Sequence, residues 1–416
     1  MKRLHILLVH QSFILPGESG GTRHYEFASR WVKAGDRVTV IAPMHALFTG
    51  ERLPQPASDV SGITVVRVRS SHTQSNSFVA RVWSFLGFAA SSFVAAMRVK
   101  DVDVVLGTTP PIFQACSAAL AAFLRRKPFV LEIRDLWPEF AIALGVFRNP
   151  LLVWMAHCLE RFLYRSADHI IVNSPAYKGY LIEKRSLAAE RITCVPNGVD
   201  GSMFASASDG ASFRERFALR DRFVVTYAGA MGIANGLESL IEVAEKLKSR
   251  SDVCLLLVGD GRERAKLEAM ARGRGLQNLI FAGPQPKNLM PAVLAASDAC
   301  IAILKNIPMF TTTYPNKVFD YMAAGKPTVL AIDGAIREVM EAAGGGIFCP
   351  PEDADAVAAA IVRLADDREG ARRMGAAARE YVQRHFDRDE HAREFGEILI
   401  AVATNGDVAK AHKAIV

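Results

Sequence analysis

The densest chemistry in the sequence lies in residues 314–327, which read YPNKVFDYMAAGKP. Pro315 suits the start of a helix and Gly325 its end, so Lys317 falls in the first turn. The helix dipole disfavours a cation at that position, and a bound diphosphate, held by the backbone amides and the ammonium, resolves the conflict. Asp320 lies one turn further on the same face, where its carboxylate suits both hydroxyls of a ribose. A capped helix with a surface ion pair is the alternative interpretation.

Glycine-bearing loops that follow predicted strands are the second feature. Gly20 and Gly21 lie between the first strand and a helix, and residues 229–232 (GAMG) and 259–261 (GDG) follow two strands of the second half. Glycines in such loops let backbone amides approach a phosphate at a helix N-terminus. Each loop taken singly is equally typical of a simple turn, and the G-x-G-x-x-G spacing is absent. Three of them at one edge are more informative.

These loops meet only if parallel strands carry them to one edge of a sheet. Continuous apolar runs, typical of strands covered by helices on both faces, predict strands at 4–9, 38–42, 63–67, 102–106, 129–133, 169–172, 223–228, 253–258, 279–282, 299–303 and 328–331. Helical stretches separate the strands, and the β-α pattern runs twice. The sequence therefore predicts an α/β protein with two Rossmann-like, doubly wound domains that face each other across a cleft.

The chain of 416 residues is long enough for two domains. Residues 1–200 form the first predicted domain and residues 222–388 the second. Residues 201–221, rich in Ser, Ala and Asp, are predicted to be the linker between them. Residues 389–416 are predicted to be a closing helix and a tail.

Charge is unevenly distributed between the two halves. Residues 1–200 carry 23 Lys and Arg against 15 Asp and Glu, whereas the remaining residues carry 27 against 28. This excess favours an anionic partner for the first half. No basic helix interleaved with base-stacking aromatics is evident, so we expect no nucleic acid and favour peripheral contact with an anionic membrane. A solvated basic face without a partner is the alternative.

The uncharged segment 82–97 bears on that choice. It lies between Arg81 and Arg98, contains three serines and a glycine, and is shorter than the roughly 20 apolar residues of a membrane span. We expect a helix buried within the domain. A shallow, membrane-facing helix is the first alternative, and a true membrane span is the least favoured one.

Several other conspicuous residues have ordinary structural interpretations. The six cysteines are scattered singly, and we expect reduced core residues of a cytosolic protein rather than disulfides or zinc ligands. Residues 101–103 (DVD) resemble a metal-binding motif but precede a buried strand, so we expect a polar strand entry. His10 and His24 are expected to be hydrogen-bonded loop residues, with acid–base catalysis as the alternative.

The order of these motifs resembles the large retaining glycosyltransferase family 4, of GT-B fold, over nearly the whole chain. The pieces that carry the resemblance are Gly20-Gly21 and residues 195–200 (VPNGVD), 258–261 (VGDG), 281–283 (FAG), 297–299 (SDA) and 316–327. They are specific together and not singly. The resemblance implies that the C-terminal half grips the nucleotide, that the N-terminal half binds the acceptor, and that the anomeric configuration is retained.

The sequence departs from the family pattern at its charged donor-site positions. The Glu-x7-Glu motif falls on Thr312 and Asp320, so the first carboxylate is lost, and the resemblance assigns the ribose to the second. The Arg and Lys that usually hold the diphosphate align with Ala230 and Asn235. We expect Lys317 to replace the missing charge.

A third departure is Arg134-Asp135, where the family usually has His-Gly. Residues 134–139 (RDLWPE) together with residues 315–322 (PNKVFDYM) are similar to the fucosamine-type transferases of O-antigen and capsule assembly. That subgroup implies a donor with an N-acetylated, often 6-deoxy, sugar on UDP and a lipid-linked glycan acceptor. Trp137 either pins a loop or floors the acceptor site.

We therefore predict a glycosyltransferase without metal or cofactor, at the inner face of the cytoplasmic membrane. The predicted donor-binding residues are Gly21, Gly229, Gly232, Gly283, Gln285, Thr312, Asn316, Lys317, Val318 and Asp320. The predicted acceptor-side residues are Gly20, His24 and Trp137, and the catalytic candidates are Asp135, Glu139 and Lys317. Asp135 and Glu139 either orient the reacting sugars or are purely structural. A nucleotide-sugar epimerase of the same fold and a non-catalytic sugar-nucleotide-binding protein are the alternatives.

Overall fold

A computed structural model describes residues 3–45, 59–70, 78–204, 209–219, 221–404 and 408. The chain forms two compact units. The first contains residues 1–15, 22–196 and 389–416, and the second contains residues 16–21 and 197–388. Most of the predicted tail after residue 404 lies outside the described residues.

The first unit is built on an eight-stranded sheet with the order β3-β4-β2-β1-β5-β6-β7-β8, in which only β3 is antiparallel to its neighbour. Its elements are β1 (His5–Val9), α1 (Arg23–Lys33), β2 (Arg37–Pro43), β3 (Asp59–Val60), β4 (Ile63–Val68), α2 (Phe78–Arg98), β5 (Val104–Thr109), α3 (Ile112–Arg125), β6 (Phe129–Ile133), α4 (Glu139–Ala143), α5 (Pro150–Ser166), β7 (His169–Val172), α6 (Pro175–Arg185) and β8 (Ile192–Cys194). The inner strands are buried throughout, which explains their unbroken apolar sequences.

The second unit is built on a six-stranded, wholly parallel sheet with the order β11-β10-β9-β12-β13-β14. Its elements are α7 (Gly210–Arg216), β9 (Phe223–Ala228), α8 (Glu238–Lys246), β10 (Val253–Val258), α9 (Arg264–Gly273), β11 (Leu279–Gly283), α10 (Met290–Ala295), β12 (Ala299–Ile303), α11 (Asn316–Ala323), β13 (Thr328–Ala331), α12 (Ala335–Ala342), β14 (Gly346–Phe348), α13 (Ala354–Asp366) and α14 (Arg368–His385). Val224 and Val225 belong to different buried clusters, because successive strand residues face opposite sides of the sheet.

The last helix, α15 (Arg388–Ala403), returns the chain to the first unit. Its Phe395 packs against Phe27 and Trp31 of α1, with ring centroids 5.3 Å apart in each case. The Trp31 indole N–H also donates to the carbonyl oxygen of Ala392 at 2.8 Å. The predicted closing helix is confirmed, and aromatic packing is what holds it.

All eleven predicted strands are present, with ends that shift by at most a few residues. The structure adds three short strands, β3, β8 and β14, which have two or three residues each and too little apolar sequence to stand out. The predicted linker differs more. Within residues 201–221, a 3-10 turn at Gly201–Phe204 and helix α7 belong to the second unit, where Phe204 and Phe213 are buried.

Cys254, Cys300 and Cys349 are buried, as predicted for core residues, whereas Cys116, Cys158 and Cys194 are half-buried. Asp103 closes the entry to β5, as expected of a polar strand end, because its carboxylate accepts the backbone N–H of His5 at 2.8 Å. Helix α2 contains the segment 82–97 and combines a buried side with an apolar exposed one: Ser84 and Phe88 are buried, and Trp83 is 68% exposed. No helix among the described residues is long and apolar enough to span a membrane.

Candidate active site

Two loops at the carboxyl edge of the second sheet, residues 229–232 and 259–261, are joined through their backbones. The N–H of Gly229 donates to the carbonyl oxygen of Val258 at 2.9 Å, and the N–H of Met231 donates to the carbonyl oxygen of Asp260 at 2.8 Å. Gly259 has φ +143°, and a Cβ there would overlap the carbonyl oxygen of Gly229. Glycine is therefore required for the loops to touch. The predicted convergence of glycine loops is present in this unit.

Lys317 lies against this loop cluster. Its Nζ donates to the Tyr227 hydroxyl at 2.7 Å and to Asn235 Oδ1 at 3.3 Å. The ammonium also lies 4.1 Å from the centroid of the Tyr227 ring, a cation–π contact. A Cβ at Gly229 would come within 2.8 Å of the same Nζ. Lys317 thus reaches the position next to Asn235, where the family pattern places a cation.

The Lys317 ammonium has no carboxylate partner among the described residues. Burial lowers the pKa of Lys317 to about 7, because desolvation disfavours the charged form. An anion bound at this point would restore the charge, since a nearby opposite charge favours the ammonium. The surroundings of Lys317 therefore suit a negatively charged ligand such as a diphosphate.

Helix α11 begins at this same edge. Pro315 occupies the N-cap position and Gly325, with φ +67°, follows the helix end, so the predicted start and stop signals are confirmed. The Asn316 side chain accepts from Arg388 Nη2 at 3.4 Å. Val318 is buried, and its N–H already donates to the carbonyl oxygen of Pro315 at 3.1 Å. The amides of the first helical turn available to a ligand are therefore those before Val318.

Asp320 has a partner that the sequence analysis missed. Lys287 Nζ donates to Asp320 Oδ2 at 2.6 Å, and the Lys287 side chain is only 5% exposed. Lys317 and Asp320 therefore contact different groups, and their assignment to the diphosphate and the ribose stays a prediction. The signal that could have found Lys287 is its place four residues after the strand-end glycine Gly283.

Lys287 also connects the glycine pair of the first loop to the second unit. Its backbone N–H donates to the carbonyl oxygen of Glu18 at 3.0 Å, and the N–H of Asn288 donates to the carbonyl oxygen of Pro16 at 3.1 Å. Residues 16–21, which contain Gly20 and Gly21, therefore cluster with the second unit although they precede it by far in sequence. Gly20 has φ +137°, a conformation that favours glycine.

The remaining predicted donor residues have local roles in the structure. The Thr312 hydroxyl donates to the carbonyl oxygen of Met309 at 2.6 Å within a 3-10 turn. Gln285 is buried and donates to Ala282 at 3.1 Å. Gly283 adopts φ +72°, whereas a Cβ at Gly232 would meet nothing closer than 3.8 Å. A steric need for glycine is thus clear at Gly259, where a Cβ would meet backbone, whereas a Cβ at Gly229 would displace the Lys317 ammonium and one at Gly232 would meet little.

In the first unit, charged residues near the strand ends form a buried cluster. The Glu132 carboxylate is fully buried and binds Arg23 Nε at 3.0 Å and His24 Nε2. Burial alone raises the pKa of Glu132, but His24 and Arg23 outweigh it and hold that pKa well below its usual range. Burial lowers the pKa of His24, against the opposing effect of Glu132. His24 lies in α1 and not in a loop, and its imidazole is bound to Glu132 instead of being open to an acceptor.

Asp135 and Trp137 lie in the loop that follows β6. Burial raises the pKa of the Asp135 carboxyl to about 6, and Arg134 opposes the shift. The Arg134 guanidinium is held by Thr108 Oγ1 at 2.8 Å and by the carbonyl oxygen of Pro110 at 2.9 Å. Trp137 packs edge-on against Phe147, with centroids 5.4 Å apart. The loop is firmly anchored.

Glu139, the other carboxylate candidate, is part of an ion-pair network. Arg185 binds Glu139 through Nη2 and Glu160 through Nε at 3.1 Å, and His157 lies 3.2 Å from Glu160. Two carboxylates and a histidine in this arrangement could hold a metal ion. The Arg185 guanidinium already supplies their countercharge, which disfavours a second cation. The structure therefore favours the structural alternative for Glu139.

Two family profiles match the chain. One, described as Glycosyltransferase Family 4, matches residues 20–202, and the other, described as Glycosyl transferases group 1, matches residues 222–367. A protein of Escherichia coli (strain K12), named as the colanic acid biosynthesis glycosyl transferase WcaI, is 28% identical over 74% of this chain and 77% of its own. The chain is a family 4 glycosyltransferase.

Solved structures show the same fold for this transferase. The sucrose-phosphate synthase of Thermosynechococcus elongatus superimposes with a TM-score of 0.77 at 18% identity, over 97% of this chain and all of that one. The HepE protein of Anabaena, solved with UDP and glucose, gives a TM-score of 0.72 at 21% identity, over 96% of this chain and all of that one. The predicted GT-B architecture is thereby confirmed.

Proposed function

We propose that the transferase moves a sugar from a nucleoside diphosphate, UDP in particular, to a lipid-linked glycan during the assembly of a surface polysaccharide. The observation that carries the proposal is Lys317, a buried lysine with no carboxylate partner in the described part of the chain, placed where the glycine loops meet helix α11. A diphosphate satisfies both the ammonium and the free amides of the first helical turn.

The proposed reaction breaks the bond between the anomeric carbon and the diphosphate oxygen. The acceptor hydroxyl oxygen bonds to the anomeric carbon on the face that the diphosphate leaves, so the configuration is retained. The hydroxyl proton passes to the leaving diphosphate. Lys317 and the amides near Gly229 offset the negative charge that grows on the leaving diphosphate. These groups perform the task for which other enzymes use a metal, so we propose that none is required.

Asp135 is the proposed carboxylate of the acceptor side. Its raised pKa suits a group that exchanges a proton near neutral pH, whereas Glu139 is bound to Arg185. The proposed ribose role of Asp320 includes Lys287, because the ion pair fixes one carboxylate oxygen. The proposed donor sugar, an N-acetylated 6-deoxyhexosamine, rests on the similarity of residues 134–139 and 315–322 to the fucosamine-type transferases.

Peripheral membrane contact at the inner face of the cytoplasmic membrane is part of the proposal. Helix α2 packs on α3, and α3 packs on α5. These adjacent helices expose large hydrophobic side chains, which we call the apolar face: Trp83, Leu86, Val94, Met97, Leu120, Phe123, Leu124, Leu151, Leu152, Trp154, Met155 and Phe162. Exposed aromatic and aliphatic side chains beside arginines suit the surface of a bilayer. A lipid-linked acceptor is available at that surface.

The proposal is tested with radiolabelled UDP-sugars, with and without a lipid-linked acceptor extract, in EDTA. We expect label in the lipid fraction only when the acceptor is present, at a rate unchanged by EDTA. NMR of the product should show the same anomeric configuration as that of the sugar in the donor. Isomerised donor without acceptor would identify an epimerase. Donor binding without any turnover would identify a binding protein, and activity lost in EDTA but restored by Mg²⁺ or Mn²⁺ would refute metal independence.

A further inference from the structure

A pocket lies in the first unit, between α5 and the C-terminal end of α6. Its volume is about 500 Å³, and its walls carry four cations, Arg161, Arg165, Lys184 and Arg185, against a single carboxylate, Glu160. Nothing in the proposed transfer reaction uses this pocket. Its lining charge favours an anionic ligand.

The inner wall of the pocket is already neutralised. Glu160 is buried and accepts from Arg185 Nε at 3.1 Å, from the Tyr164 hydroxyl at 2.9 Å and from His157 Nδ1 at 3.2 Å. Arg185 is shared with Glu139. Because Arg185 already balances the Glu160 carboxylate, little of its charge is left for the outer cations.

The outer cations remain without a carboxylate. Arg161, Arg165 and Lys184 are exposed, and no ion pair joins any of them to a carboxylate in the part of the chain that the structure describes. Arg161 donates from Nη2 to the Cys158 sulphur at 3.3 Å. Three unpaired cations around one cavity match the several oxygens of a phosphate group.

The rim of the pocket is apolar on one side. Trp154 lines the pocket and is 59% exposed, and it continues along α5 into the apolar face through Leu151, Met155 and Phe162. A soluble phosphate ester gains nothing from such a rim. A lipid does, because its phosphate can bind the cations while its chains contact the adjacent apolar side chains.

We propose that this pocket binds the phosphate-bearing head group of an anionic membrane lipid. The inference rests on the membrane contact of the proposed function and adds to it a defined head-group site. It predicts that binding depends on these three cations and not on net charge. The apolar face then supplies the second of the two signals that stable peripheral binding requires.

The test compares two variants of the full chain that lose the same charge. The pocket variant carries Arg161→Gln, Arg165→Gln and Lys184→Gln, and the control variant carries Arg272→Gln, Arg372→Gln and Arg384→Gln on exposed helix surfaces of the second unit. Binding is measured by sedimentation with phosphatidylcholine vesicles, with and without phosphatidylglycerol. We expect the pocket variant to bind phosphatidylglycerol vesicles roughly tenfold or more weakly and the control variant to bind like the wild type.

Equal losses in the two variants would overturn the pocket in favour of net charge. Glycerol 3-phosphate is the soluble probe. If the pocket variant loses affinity for it by calorimetry but keeps its affinity for the vesicles, the ligand is a soluble phosphate and the lipid assignment fails. Arg165→Gln alone, at an exposed position, provides a second variant should the triple substitution fold poorly.

Transfer to a water-soluble acceptor analogue separates this proposal from the proposed function. Vesicle selectivity without any transfer would leave the pocket standing and remove the activity. Transfer with no vesicle binding by the wild type would remove both the membrane contact and the pocket. Transfer that persists in the pocket variant, with reduced vesicle binding, is the expected result.

Discussion

The two units share one architecture but differ in the chemistry that they leave uncompensated. In the second unit, the ammonium of Lys317 has no carboxylate partner among the described residues, whereas in the first unit Glu132 is bound to Arg23 and His24. The helix surfaces also differ, and here it is the first unit that leaves groups uncovered. Thirteen of the fourteen large hydrophobic side chains exposed among the described residues belong to the first unit, and Leu289 is the one in the second.

This difference shows how two similar sheets with helices on both sides can serve different partners. A desolvated cation at strand ends suits a small anion that enters a backbone-lined loop. An apolar helix surface rimmed by arginines suits an extended anionic layer. The sheets position these features, and the unpaired groups select the ligand.

The contrast inside the second unit, between the paired Lys287 and the unpaired Lys317, gives the largest expected effect. Asp320→Asn should lower the free energy of unfolding by about 3–5 kcal/mol, because it leaves the buried Lys287 ammonium without its partner. Urea denaturation of the donor-free protein measures this change.

The double variant Asp320→Asn/Lys287→Met separates stability from donor binding. It should recover most of the lost stability, since no unpaired charge remains buried. Donor affinity should stay weaker by about 1.5–3 kcal/mol if Asp320 binds the ribose. Wild-type donor affinity in the double variant would show that Asp320 serves only to hold Lys287.

Lys317→Ala tests the unpaired cation directly. Turnover should fall by roughly 100-fold, because the ammonium acts on charge that develops as the sugar–phosphate bond breaks. The Michaelis constant should change much less, since the effect is larger in the transition state than in the ground state. Stopped assays with saturating donor measure both constants.

Lys246→Ala is the matched control for that variant, because Lys246 forms a surface ion pair with Asp355 in the same unit. It should leave turnover unchanged. A folded Lys317→Ala protein with wild-type kinetics would contradict the placement of the donor at α11.

The apolar face is tested by Trp83→Ser/Trp154→Ser. The two indoles are 68% and 59% exposed, so their removal should weaken binding to anionic vesicles roughly tenfold or more while stability changes little. Leu289→Ser, in the second unit, is the control and should bind like the wild type. Binding of the wild type should also weaken with salt, because surface charges are screened within about 10 Å at 0.1 M. Equal binding of all three proteins would break the contrast between the two units.

Asp135 gives the smallest expected effect, and its sign depends on pH. Its folded-state pKa of about 6 lies above the usual value, so the folded protein loses stability as the pH rises from about 4 through 6. Asp135→Asn should therefore stabilise the protein at pH 7 by roughly 1–2 kcal/mol, a figure reduced by partial exposure, and should have little effect at pH 4.

Thermal melts of Asp135→Asn at pH 4 and pH 7 measure this difference. Glu183→Gln, at an exposed carboxylate of α6, is the control and should shift Tm little at either pH. An equal Tm for Asp135→Asn and the wild type at pH 7 would show that the Asp135 carboxylate is well solvated. Lower transfer activity in the more stable variant would support its role on the acceptor side.

The sequence by itself determined the elements. Buried parallel strands need continuous apolar residues and helices need cap signals, so the eleven strands and the Pro315 and Gly325 boundaries of α11 were readable from local composition. The glycine loops and Lys317 were readable for the same reason, since backbone approach and helix position are local properties. Strands of two or three residues carried too little sequence to be detected.

Only the tertiary structure decided which charges are paired. Lys287 and Asp320 are 33 residues apart and Glu139 and Arg185 are 46 apart, and no local pattern specifies such partners. Whether a cation is available to a ligand depends on what the fold places beside it, because desolvation and counter-charges act through space. For the same reason, the sequence predicted an apolar helix at 82–97, while its combination of buried serine and exposed tryptophan required the packing of α2 on α3.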